Sequence, residues 1–288
     1  MRARRRLVPY FLLGPGLLWL ALFFVVPMFF MGIISLEEGS ISKGFSLTWN
    51  FGNFSDAVSS FDKQFLRSVI YAGSATILCL FIAYPLAYTI AFKAGRWKNA
   101  LLLAVVAPFF TTYLIRTYAW QTILSDDGSV VDVLRNGGLL ADDGRVLQTP
   151  VSVIAGLTYN FLPFMILPIY ASLEQMDRRL VEAARDLYSS ARAAFFKVTL
   201  PISAPGVIAG TLLTFIPAMG DYVNAFFLGG PNQQMIGNVI QSEYLTVKDY
   251  PVAAALSFVL MAVILILVMI YIRFAGSEAL MGDEGETR

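Results

Sequence analysis

Six apolar stretches, each long enough to cross a bilayer as a helix, occupy most of this 288-residue sequence. A crossing helix needs about 20 apolar residues. The stretches run from Tyr10 to Ile34, Leu66 to Phe92, Lys98 to Leu124, Val151 to Leu173, Ser203 to Gly229 and Pro251 to Ala275. Composition agrees: 57% of the residues are hydrophobic, 14% are charged, and the mean hydropathy is +0.66. Water cannot cover that much apolar surface, so lipid is the solvent for most of the chain. The first stretch follows Arg2, Arg4, Arg5 and Arg6 and lacks a clear small-residue cleavage site, so it reads as an uncleaved helix rather than a signal peptide. The expectation is an all-α membrane protein of about six transmembrane helices, a single transmembrane domain over residues 1–288.

Several function classes drop out. A net charge of +1 gives no basic excess for nucleic acid. With no histidine there is no imidazole acid–base chemistry and no His-ligated metal site. The single cysteine, Cys79, lies in an apolar run and reads as a free buried thiol. No G-x-x-x-x-G-K-[ST] loop is present, so the chain does not cradle ATP that way. The chain is read as a non-enzyme with no cofactor or metal of its own. Asn53-Phe-Ser55 matches a glycosylation acceptor and is taken as chance.

Six spans put both termini on one side. The N-terminus, the 93–98 loop, the 174–202 loop and the C-terminal end carry 14 Lys/Arg, and the three loops on the other side carry 6. The positive-inside rule then predicts cytoplasmic termini. The outer loops also hold 11 acidic residues, including Asp126, Asp127, Asp132, Asp142 and Asp143. That cluster is either ordinary solvated loop surface or an acidic vestibule that attracts cations or docks a basic surface.

Within the spans only Arg116 and Asp221 are strongly placed ionisable groups. One intramembrane acid is thin material for a proton relay, so an energy source on another subunit is expected. Counted along straight helices, both groups lie 18 residues from the cytoplasmic ends of their spans, at about the same depth. Two readings stay open: Arg116 and Asp221 pair with each other, or Asp221 faces a translocation path and attracts an ammonium group. In the second, Tyr222, Phe226 and Tyr159 add cation–π contacts, although each ring alone also suits packing or an interfacial belt. Pro217 and Gly220 predict a kinked or unwound stretch beside Asp221. Ala253, Ala254, Ala255 and Ser257 in the last span suit close helix contact.

The loop between the fourth and fifth spans carries helical spacing at Leu173, Met176, Leu180, Val181, Ala184 and Leu187. Ser189 or Ser190 is positioned to cap a second short helix presenting Ala191, Ala194, Phe195 and Val198. Pro201 and Pro205 are expected to break the chain before the fifth span. On pattern alone this helix–turn–helix either skims the membrane or inserts into a partner's groove.

The run EAARDLYSSARAAFFKVTLPISAPGVIAG, Glu182 to Gly210, resembles the EAA motif of permease subunits of ATP-binding-cassette importers. Glu182, Ala183 and Ala184 match its opening, and Val198, Leu200 and Pro201 its ending. Tyr188 stands where that family has glycine; either the turn takes another backbone path or Tyr188 packs into the ATPase cleft. The segments APFFTTYLIRTYAW, GLTYNFLPFMILPIYASLEQMD, FIPAMGDYVNAFFLGGP and IGNVIQSEYLTVKDYPVAAALS are similar to permeases of the spermidine/putrescine importer type. Relatives carrying iron, aminophosphonate or other small solutes are the alternative within the class, and a secondary carrier or channel without an ATPase is the alternative outside it.

The resemblance implies a type I importer (MetI-like) fold in a bacterial inner membrane, with coupling helices between spans four and five. It implies that Glu182, Ala183, Ala184, Arg185, Asp186 and Tyr188 meet an ATPase. It also implies a homologous second permease, two ATPase subunits holding ATP and Mg²⁺, and an extracytoplasmic polyamine-binding protein.

Overall fold

The computed structural model describes residues 13–141, 143–177, 179–180, 182–183, 186 and 190–275. In chain order the elements are α1 (Leu13–Ile34), the hairpin strands β1 (Glu37–Ser40) and β2 (Gly44–Leu47), and α2 (Gly52–Phe92). There follow α3 (Gly95–Phe110), α4 (Tyr113–Ile123), α5 (Ser129–Asn136) and α6 (Pro150–Glu174). Then come α7 (Ala191–Met219), α8 (Val223–Leu228), α9 (Ile236–Ser242) and α10 (Tyr250–Ala275). Five of these, α1, α2, α6, α7 and α10, are each long and apolar enough to cross a membrane. The pair α3 and α4 makes a sixth candidate, bent by 94°.

That bend departs from the straight third span expected over Lys98–Leu124. Pro108 lies in a 3₁₀ turn at the end of α3, and Thr111 and Thr112 are extended, with ψ of 138° and 146°. Two extended residues interrupt the i→i−4 ladder, so the chain leaves the elbow in a new direction. The depth count for Arg116 assumed a straight rod and fails here.

The described residues divide into two compact units, one of residues 13–62 with 239–261, the other of 63–238 with 262–275. In the first unit β1 and β2 pair antiparallel with Glu37 opposite Leu47 and Gly39 opposite Phe45. An all-helical expectation omitted this hairpin. Gly44 turns at φ 80°, where a side chain is strained, and a Cβ on Gly39 would sit 2.0 Å from the Gly44 carbonyl oxygen. Asn53 donates from Nδ2 to the carbonyls of Ser35 and Glu37, tying the start of α2 to the chain after α1. The apparent acceptor motif is therefore a structural asparagine. Ala253, Ala254 and Ala255 are buried, as their small size suggested.

In the second unit the core is a seam between α2 and α6. Cys79, Ala83, Ala87 and Ala91 recur every fourth residue on α2 and meet Met165, Ile166, Ile169 and Leu173 of α6. Small side chains at that spacing let two membrane helices approach closely. Cys79 is buried, as expected, and its Sγ donates to the Thr158 carbonyl at 3.3 Å. Helix α7 packs on the same α6: a Cβ at Gly206 would lie 2.6 Å from the Pro168 carbonyl oxygen, and one at Gly210 would lie 3.1 Å from that of Met165. The ion pair Lys98–Glu174 joins the start of α3 to the end of α6.

Helix α7 corrects the expectation that Pro201 and Pro205 break the chain. It runs continuously from Ala191 through both prolines to Met219. A π turn at Phe195–Thr199 ends two residues before Pro201 and widens the helix over the turn that faces the proline's missing donor. The short second helix is thus the first turns of a long span. Its cap is Ser190, whose Oγ accepts the Ala193 N–H at 3.2 Å. The span also ends early: the helix stops at Met219 rather than Gly229, and the chain resumes as α8 at Val223.

Candidate functional site

At the break Gly220–Tyr222 the second unit brings several buried polar groups together. Asp221 is 8% exposed. Its Oδ1 accepts the backbone N–H of Asn224 at 2.8 Å, the pattern of an N-terminal helix cap, here opening α8. Its Oδ2 accepts the Tyr113 hydroxyl at 2.5 Å. Tyr113 Oη in turn accepts from Asn224 Nδ2, and Asn224 Oδ1 accepts from Asn160 Nδ2 at 3.2 Å. Each donor in this chain points toward the carboxylate, an order in which each bond polarises the next. Asn160 Nδ2 also lies 3.4 Å from Thr117 Oγ1, while Asn160 Oδ1 has no hydrogen-bond partner.

Local sequence explains the assembly. Gly156 on α6 leaves room for α8, because a Cβ there would lie 2.7 Å from Asn224 Oδ1 and 2.3 Å from Leu228. The end of α8 is held by the Leu228 carbonyl, which accepts from Ser152 Oγ and from the Gln148 N–H, both at 2.8 Å. The break itself is braced from the other side. Asn238 donates to the Tyr222 carbonyl at 2.7 Å, Ser68 Oγ accepts the Ile236 N–H, and Arg67 donates to the Gln234 carbonyl. Gly237 sits so near the break that a Cβ would lie 2.5 Å from the Gly220 carbonyl oxygen. A backbone freed from helix inside a membrane needs such partners.

Arg116 is also 8% exposed, yet no ion pair joins it to Asp221 among the described residues. Its guanidinium lies 5.6 Å from the Tyr113 ring centroid and 5.7 Å from that of Phe109, and Nε and Nη1 have no hydrogen-bond partner. Tyr113 therefore stands between the two charges, with its π face toward the cation and its hydroxyl on the anion. Of the other expected pathway residues, Tyr222 is 43% exposed and Phe226 is 68% exposed, with Phe226 in edge contact with Phe227. Tyr159 is half-buried on Trp120, 5.4 Å between centroids, and lines a hollow of about 270 Å³ with Pro108, Leu162 and Pro163.

Sequence reasoning sought ionisable groups and so passed over Tyr113, Asn160 and Asn224. The available signal was an uncharged amide inside an apolar span, which in lipid requires a partner.

In the 174–202 segment, Arg179, Leu180, Glu182, Ala183 and Asp186 are helical and exposed. Ala184, Arg185 and Tyr188 lie outside the described residues. Beyond the Ser190 cap, Ala194 is buried and Phe195 packs edge-on between Tyr84 and Tyr88 of α2, at 5.6 and 6.1 Å. The apolar side of this turn thus packs within the chain, leaving Arg192, Phe196 and Lys197 exposed. On the 125–149 segment, Arg145 pairs with Asp126 at 3.0 Å, so part of the acidic cluster is internally compensated. Asp142 lies outside the described residues.

A helical membrane protein with a broken span, buried polar network and exposed helix ahead of α7 has the construction of a permease subunit. Residues 6–276 match the binding-protein-dependent transport system inner membrane component family, and the chain belongs to it. It is similar to the spermidine/putrescine transport system permease protein PotB of Haemophilus influenzae, 38% identical over 88% of this chain and 90% of that protein. The protein of the same description in Escherichia coli is 34% identical over 88% of this chain and 93% of its own length. Among solved structures, a bacterial ABC transporter importing the acidic polysaccharide alginate shares the fold, with a TM-score of 0.69 over 96% of this chain and 98% of that one at 19% identity. The expected permease fold and family resemblance are borne out.

Proposed function

We propose that the chain is one permease subunit of an ATP-driven polyamine importer, forming half of a pore completed by a homologous second permease. The observation that carries the reading is its 34–38% identity, over 88% of the chain, to PotB permeases of spermidine/putrescine transport. ATP with Mg²⁺ is held and hydrolysed on two partner ATPase subunits, and an extracytoplasmic binding protein delivers the solute. Both termini face the cytoplasm, as the Lys/Arg bias suggests.

Glu182, Ala183, Ala184, Arg185, Asp186 and Tyr188 form the surface on which an ATPase docks. The exposure of Glu182, Ala183 and Asp186, and the Ser190 cap that joins this segment to α7, support that role. ATPase closure moves the start of α7, and alternating access follows as that movement reaches the break at Asp221. Asp221 supplies the negative charge for an ammonium group, with Tyr222 and Phe226 as exposed rings beside it, Tyr159 further along the path and Arg116 set back behind Tyr113.

Reconstitution in vesicles with the partner permease and ATPases tests the proposal. Polyamine-loaded binding protein is expected to stimulate ATP hydrolysis and labelled spermidine uptake. Stimulation by an iron or phosphonate carrier instead would reassign the solute. Transport without any ATPase would overturn the class.

A further inference from the structure

The first unit contains a crevice of about 330 Å³ that the transport reading leaves unused. Its walls are Met31 and Ile34 at the end of α1, Ala253 and Ala254 at the start of α10, and an aromatic and acidic side built by the hairpin and the turn after α9. Phe45, Tyr250 and Tyr244 follow one another there, with ring centroids 5.5 and 5.2 Å apart. Glu37 is the one carboxylate in the lining. Strand pairing places it: with Glu37 opposite Leu47 and Gly39 opposite Phe45, Glu37 and Phe45 share a face as diagonal neighbours. Gly39 adds no side chain between them.

The two adjacent acids differ. The Glu38 carboxylate accepts from Asn50 Nδ2. Glu37 is half-buried, and among the described residues its carboxylate takes part in no hydrogen bond or ion pair, while its backbone carbonyl accepts from Asn53. A half-buried carboxylate lining a crevice with three aromatic rings suits a cation that carries N–H donors and a short apolar tail. The volume is near the lower end of the roughly 300–1,000 Å³ typical of ligand sites, which favours a small group.

We infer that the Glu37–Phe45–Tyr244–Tyr250 crevice is a binding site for a primary alkylammonium group. Such a group comes either from a free amine or from the headgroup of phosphatidylethanolamine. The Coulomb and cation–π contacts fix the nitrogen, and Met31, Ile34 and the alanines of α10 receive the hydrocarbon.

The test uses the purified full chain in nanodiscs and n-butylammonium as probe, with n-butanol as the neutral isostere, followed by calorimetric titration. Butylammonium is expected to bind, butanol not to bind, and Glu37→Gln to weaken the amine by roughly tenfold or more, the loss expected for one charge-assisted contact. Tyr244→Leu, at a ring 56% exposed, is expected to weaken it several-fold with melting unchanged. Competition by phosphatidylethanolamine nanodiscs relative to phosphatidylglycerol ones identifies the lipid as the source; equal affinity in both identifies a free amine. Equal binding of butanol, or unchanged affinity in both variants with unchanged melting, would overturn the inference. No ATPase or binding protein is involved, so this result stands apart from the transport reading.

Discussion

Replacing Tyr113 by phenylalanine removes a single oxygen that serves two buried partners. The hydroxyl donates to Asp221 Oδ2 and accepts from Asn224 Nδ2, both at 2.5 Å. The ring survives, so its contact with Arg116 and its packing on Phe161 are kept. A hydrogen bond to a charged group contributes about 1.5–3 kcal/mol, and an orphaned buried donor adds a further cost, so about 2–4 kcal/mol is expected. For a chain of this size that lowers the melting temperature by about 5 °C or more, read by intrinsic fluorescence in detergent. Tyr118→Phe on the exposed side of α4 is the control and is expected to change little. Combining Tyr113→Phe with Asp221→Asn should show a coupling of about 1 kcal/mol or more, because the two residues share one bond. A Tyr113→Phe protein melting within about 1 °C of the wild type would refute the claim that this bond holds the break together.

Asp221→Asn keeps an oxygen to cap α8 but removes the charge, so polyamine uptake in the reconstituted complex should fall while membrane abundance holds. Wild-type uptake would separate Asp221 from the transport path. Gly206→Ala places a methyl 2.6 Å from the Pro168 carbonyl oxygen, a backbone atom that cannot swing away. Overpacking of this kind costs about 1–3 kcal/mol, so folded yield and melting temperature should both drop. Cys79 is fully buried and bonded to a carbonyl of α6, so a maleimide should label it only after denaturation, with mass spectrometry giving the ratio.

Much of this architecture was legible because membrane spans advertise themselves by length and hydropathy. The start of α7 was legible too, since Ser190 is a capping residue followed by apolar helical spacing. What escaped reflects tertiary context. Proline rules forecast a break at Pro201 and Pro205, but packing of Gly206 and Gly210 against α6 and a π turn carry α7 through them. The third span reads as one continuous apolar stretch, yet Thr111 and Thr112 adopt extended backbone after Pro108 and turn it by 94°. The break at Asp221 was foreseeable from Pro217 and Gly220, but its partners were not. Tyr113, Asn160 and Asn224 come from three different helices, and their meeting depends on Gly156, whose missing side chain has no periodic signature.

At 29 residues and ~1.5 Å each, α7 is a lever ~43 Å long, reaching from the Ser190 cap to the residues just before Asp221. Swung by ~5° about its capped end, it carries its far tip through ~4 Å, more than the ~3 Å span of a hydrogen bond. A swing of that size would carry the tip beyond hydrogen-bond reach of the polar cluster at the other extremity.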